Sequence, residues 1–180
     1  MKRFVSVLLV LTPLLAVIGS GPAAAQQVPS SAPILWVMKD DLWAYSEATG
    51  QVTQLTQNAH VWDLPVLSPD GTKLALLVAS PITVQVWETS GGFSGNAPSD
   101  VAMLDLQTGA LTVVAVQPED ACLFCQGRPD NVFMRAAPTW SPDGTQIAWT
   151  ELHYPANAPE LHRLMIYDLA RFRDLRRAED

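Results

Sequence analysis

The stretch Val66-Leu67-Ser68-Pro69-Asp70-Gly71-Thr72-Lys73-Leu74-Ala75-Leu76 recurs almost position for position as Thr139-Trp140-Ser141-Pro142-Asp143-Gly144-Thr145-Gln146-Ile147-Ala148-Trp149. Each copy is an apolar run, Ser-Pro-Asp-Gly-Thr, a polar residue and a second apolar run. Proline presets φ at roughly −65° for the second turn position, aspartate suits the third, and glycine supplies φ > 0 at the fourth. Between β-prone flanks this is a hairpin turn. Its recurrence means that the fold is assembled from repeats.

Read in order, the chain supports that view. Ile34 to Met38 reads as a strand, Lys39-Asp40-Asp41 as a tight turn, and Leu42 to Tyr45 as a second strand. Ala48-Thr49-Gly50 turns again, and Gln51 to Thr56 alternates polar and apolar residues as a half-exposed edge strand does. A second unit follows: Leu64 to Leu67, the first Ser-Pro-Asp-Gly turn, Lys73 to Ala79, an insert from Glu88 to Asp100, Val101 to Leu106, Gln107-Thr108-Gly109, and Leu111 to Val116. The third has Ala137 to Trp140, the second turn, Gln146 to Leu152, an insert, and Leu164 to Leu169.

Short antiparallel strands, four to a unit, are the blade pattern of a β-propeller. A β-sandwich would not need the same turn residues at the same place in each unit. The Ser-Pro-Asp-Gly-Thr turn, the Ile/Leu-Ala strand after it and the Asp105-Leu106-Gln107-Thr108-Gly109 ending resemble the TolB-like, WD-repeat-related propeller repeat over most of Ile34 to Leu169. The expected fold is all-β, an incomplete propeller of about two and a half four-stranded blades, where closed rings need about four to eight. The Thr-Gly turn expected after Asp168-Leu169 is replaced by a basic tail over 170–180, as a truncated or frame-shifted frame would give. Completion by another copy or subunit, or a small open stack, are the alternatives. Open strand edges would then invite self-association.

Ahead of the repeats, Lys2 and Arg3 precede an apolar run from Phe4 to Ile18, and Ala23-Ala24-Ala25 offers a small-x-small cleavage site. Residues 1–25 are expected to be a secretory signal peptide and 26–33 a linker. The apolar run is shorter than the ~20 residues that span a bilayer, so stable membrane insertion after cleavage is not expected. The chain is thus expected to be exported, to the periplasm or beyond. Loss of Lys2 and Arg3 takes the formal charge from −7 to −9, which argues against a nucleic-acid partner.

The long connections (57–63, 88–100, 117–136 and 153–163) all fall on one face of such a stack, opposite the Ser-Pro-Asp-Gly turns. Loops on a rigid scaffold are where binding resides. Trp62, Asp63, Trp87, Phe93, Phe124 and Arg128 are the candidate partner contacts there, while Trp43, Trp140 and Trp149 are expected to pack between blades. Cys122 and Cys125 are expected to pair in an exported chain. A zinc site would need His153 and His162, whose spacing fits no standard finger.

No Gly-x-Ser-x-Gly elbow is present, and none of the three histidines has a convincing serine or cysteine partner. No catalytic residue, cofactor or metal is expected. The expected function is non-catalytic binding of a protein or glycan in the cell envelope, which is where the TolB resemblance places partners. The alternative is the N-terminal propeller of a prolyl-oligopeptidase-like peptidase whose hydrolase domain lies outside this chain.

Overall fold

The computed structural model describes residues 33–90, 97–125, 127–155 and 158–171. The expected signal peptide, nearly all of the linker, Phe93 and the tail beyond Arg171 lie outside the described residues.

The first sheet is β1 (Ile34–Met38), β2 (Asp41–Ser46) and β3 (Gln51–Gln54), in that order. The second is β4 (Val66–Leu67), β5 (Lys73–Ala79), β6 (Ser99–Asp105) and β7 (Leu111–Ala115). A helix, α1 (Pro81–Ser90), lies between β5 and β6, and a small hairpin of β8 (Cys122–Cys125) and β9 (Arg128–Asp130) follows β7. The third sheet is β10 (Val132–Trp140), β11 (Gln146–Tyr154) and β12 (Leu161–Asp168). Among the described residues all strand pairings are antiparallel between sequential neighbours, and no sheet closes on itself. This is an incomplete β-propeller.

The repeat holds at the level of register. Ile34 pairs with Tyr45, Leu74 with Leu104 and Ile147 with Tyr167, and each sheet runs on from that pair in step. Leu74–Ala79 is continuously apolar because the second sheet is covered on both sides. Leu74, Leu76, Ala102 and Leu104 pack toward Leu35, Val37 and Leu42 of the first sheet. Ala75, Leu77 and Val101 pack toward Ile147, Trp149, Met165 and Tyr167 of the third. Each fully buried leucine there contributes about 1.5–3 kcal/mol.

Both Ser-Pro-Asp-Gly turns form as expected, with Gly71 and Gly144 at φ 71. In the first, Asp70 accepts from the Ser68 hydroxyl, the Thr72 amide and the Thr72 hydroxyl, and the Ser68 hydroxyl oxygen accepts from the Lys73 amide. Asp143 does the same work with Ser141 and Thr145. Trp140 donates its indole N–H to the Val66 carbonyl at 2.9 Å, tying the third sheet to the second.

Several expectations are corrected. The Lys39 turn has two residues, both at positive φ (53 and 63), and Asp41 already belongs to β2. Asp41 is buried and pins the 54–59 segment: its carboxylate accepts from the Thr56 hydroxyl, the Gln54 amide group and the backbone amides of Asn58 and Ala59. Burial alone would push that carboxyl up, but these hydrogen bonds outweigh it and hold it below its usual value. β6, β10 and β12 begin earlier than expected, so the loops before them are shorter. Trp140 and Trp149 pack between sheets, but Trp43 alternates with Leu42 and Ala44 and so lies on the opposite face of the first sheet, turned away from the second.

Candidate functional site

The long connections gather at the end of the sheets opposite the Ser-Pro-Asp-Gly turns. There α1 and the β8–β9 hairpin form the walls of a groove of about 610 Å³. The run Pro81-Ile82-Thr83-Val84-Gln85-Val86-Trp87 is rich in β-branched residues, yet it is helical. Ser80 precedes Pro81 at the position where a helix begins, and proline suits the first helical turn. Thr83 and Val84 donate their amides to the Ser80 carbonyl. The Ser80 and Thr83 hydroxyls both donate to the Pro98 carbonyl, at 2.9 and 2.6 Å, which locks the first turn of α1 to the strand entering β6.

The facing wall is held by a disulfide and by polar clamps. Cys122 and Cys125 are bridged, with Cα atoms 5.6 Å apart. Between them Leu123 is buried, while Phe124 is 68% exposed. The Gln117 side chain accepts from the Phe133 amide and donates to the Phe133 and Ser99 carbonyls, bridging β6 to β10. Asn131, at φ 48, donates to Asp120 and shares a 3.0 Å hydrogen bond with His153 Nε2. Arg163 can only donate to His153 Nδ1, so Nε2 carries the ring proton and Asn131 Oδ1 accepts it. Burial, with Arg163 beside the ring, holds His153 below its ordinary pKa. The ring stacks on Phe133 at 4.1 Å.

Gln117 links the groove to a buried ionic cluster. Arg135 Nε donates to Glu151 Oε2 at 3.0 Å, and its Nη1 and Nη2 donate to the carbonyls of Ser99 and Val116 at 2.9 Å each. Asp100 stands 3.5 Å from Nη1 and accepts the Gln117 amide. Burial pushes the Asp100 carboxyl above its ordinary value, against the pull of Arg135 and the Gln117 amide. None of these three charged side chains lines the groove; Arg135 and Glu151 border a second depression on the third sheet instead.

The groove itself is lined by Pro81, Ile82, Val86, Pro118, Ala121, Leu123 and Phe124, with Gln85, Gln117 and Glu119 as its polar members and Cys122 in its rim. Glu119 is the one ionisable side chain among the described residues of that lining. Such a surface offers apolar contact, amide hydrogen bonds and one carboxylate, and the cysteine in its rim is bridged.

Of the residues singled out in the sequence, Phe124 lines the groove. Trp62 and Trp87 come together instead, with ring centroids 5.3 Å apart, and His60 packs edge-on to Trp87 at 6.2 Å. The pair fastens α1 to the segment before β4. Asp63 is exposed and accepts the Leu64 amide at 2.7 Å, and Arg128 is exposed opposite Cys125 on β9. The helix itself, its groove-lining residues Pro81, Ile82, Gln85 and Val86, and the clamping role of Gln117 went unanticipated; the Ser80-Pro81 pair was the one local signal for the helix.

No family model matches the sequence, and none of the curated proteins compared with it matches. Among solved structures, the chain is similar to TolB from Acinetobacter baumannii, at 17% identity and a TM-score of 0.34. The likeness is to a TolB-like propeller. It is also similar to a protein from Lactobacillus plantarum, at 21% identity and a TM-score of 0.32. The matches cover 77% and 70% of this chain, which spans 39% and 34% of the respective chains.

Proposed function

We infer that the chain is a non-catalytic, exported binding module that holds an apolar stretch of another cell-envelope protein in the groove between α1 and the disulfide-closed hairpin. The observation that carries this reading is Phe124, 68% exposed on a hairpin that a disulfide and the Asn131 and Gln117 hydrogen bonds hold in place. A preorganised apolar wall lowers the ordering cost of binding. The lining favours a polypeptide over a glycan, because its polar groups are few and set at the margins. Export rests on the basic, apolar and small-residue pattern of residues 1–25.

The test is selection of peptides from an unbiased display library against the oxidised chain, with a glycan array run in parallel. Peptides rich in apolar residues are expected, and Phe124→Glu should weaken them at least tenfold, about 1.4 kcal/mol. Cys122→Ser/Cys125→Ser should weaken them too, while Asp143→Asn, at the opposite end of the sheets, should not. Peptides indifferent to Phe124, or binding to glycans alone, would refute this reading.

A further inference from the structure

Two faces are apolar and, among the described residues, lack a covering sheet. On the first sheet, the side turned away from the second carries Ile34, Trp36, Trp43, Tyr45 and Val52, of which Ile34 and Val52 are 53% and 58% exposed. On the third sheet, the side turned away from the second carries Ala148, Thr150, Leu164 and Ile166, the last two 68% and 60% exposed. Contiguous apolar exposure of this kind marks an interaction surface.

The shared register says what each face fits. Trp36, Leu76 and Trp149 occupy one position in the three sheets, as do Tyr45, Leu104 and Tyr167. The bare face of the first sheet is therefore the counterpart of the Trp149 and Tyr167 face, which is packed against the second sheet. Likewise Thr150 and Leu164 occupy the positions of Leu77 and Val101, the residues that receive Trp149. A depression of about 430 Å³ opens beside Thr150 and Leu164, its lining shared by Met134, Ala136 and Leu152 with Arg135, Glu151, His162 and Arg163. One bare face is the donor half of the interface already built inside the chain, and the other is its acceptor half.

We propose that two copies of this chain associate head to tail, the third-sheet face of each copy receiving Trp36 and Tyr45 of the other. The contact is heterologous, and a heterologous contact closes when its rotation completes a ring. Two copies bring six sheets, within the range of about four to eight at which propellers close.

The test is sedimentation velocity of the purified, oxidised chain across a wide dilution range. A species of twice the chain mass is expected. Trp36→Asp and Leu164→Asp should each be monomeric, because every contact in either variant has one spoiled face. An equal mixture of the two variants should associate again, since one retains a sound third-sheet face and the other a sound first-sheet face. Ile166→Asp replaces Leu164→Asp if the latter loses its near-ultraviolet tryptophan dichroism. A monomeric wild type, assemblies larger than two chains, or a dimer that survives either substitution would overturn the proposal.

Discussion

Arg135 Nε and Glu151 Oε2 meet at 3.0 Å between neighbouring strands β10 and β11, with both side chains 4% exposed. A buried pair of this kind is costly to break because the surviving charge has nowhere to go. Arg135→Met, which keeps most of the volume, is expected to cost about 3–5 kcal/mol. Asp100 should behave in the opposite way. Its carboxyl is raised by burial, so its ionised form is disfavoured in the fold. A raised carboxyl contributes stability below its ordinary 3.8 and loses it as pH rises through the folded value. Asp100→Asn retains an acceptor for Arg135 and for the Gln117 amide and should match or exceed the wild type at pH 7. Urea titrations at pH 7 and pH 4 check both: the Asp100→Asn advantage should shrink on acidification, and a large loss at pH 7 would contradict the assignment.

The two turn aspartates give the acid side of the stability curve. Asp70 is held down to about 2 by the Ser68 hydroxyl and then the Thr72 amide and hydroxyl, and Asp143 likewise to about 2 by Ser141 and Thr145. A depressed carboxyl contributes stability above its ordinary 3.8 and loses it as pH falls through about 2. Asp70→Asn/Asp143→Asn should therefore melt below the wild type at pH 7, and the gap should close as pH falls from 4 to 2. Melting curves across that range decide it; a constant gap would mean that the carboxylates contribute no charge-dependent stability.

Gly71 and Gly144 test whether the two turns are equivalent. A Cβ at Gly71 meets nothing within 4 Å, and at Gly144 it would lie 3.6 Å from Pro69 Cδ, an ordinary contact. Sterics add nothing, so only the left-handed backbone opposes a side chain. Gly71→Ala and Gly144→Ala should each cost about 1–2 kcal/mol, and nearly the same amount. Gly71→Asn should cost less than alanine, because asparagine tolerates that conformation. Chemical denaturation measures all three.

What was legible in the sequence was what is local. Ser68 through Lys73 contains every partner of the Ser68 and Asp70 side chains, and the Leu74–Ala79 run declares a strand buried on both faces, so turns, strands and architecture could be read from neighbours alone. The rest depends on residues that meet only after folding. Arg135 reads as a loop cation, and nothing near it in sequence announces Glu151, Ser99 or Val116. The helix was missed because Ile82, Thr83, Val84 and Val86 carry strand propensity that the Ser80-Pro81 start and the Trp87–Trp62 stack override. Asp41 looked like a turn residue, since the partners that bury it lie 13 to 18 residues away.

The hydrogen bonds made by the serine and aspartate side chains of each Ser-Pro-Asp-Gly turn stay within six consecutive residues, so duplication of a gene segment copies them intact. The Arg135 cluster draws on groups at Ser99, Asp100, Val116 and Glu151, spread over two sheets. A duplicated sheet would inherit only half of it. The three sheets are consequently not interchangeable parts: a shuffled chain could keep every turn and still strand a cation in its interior. Their order is encoded between the blades, not within them.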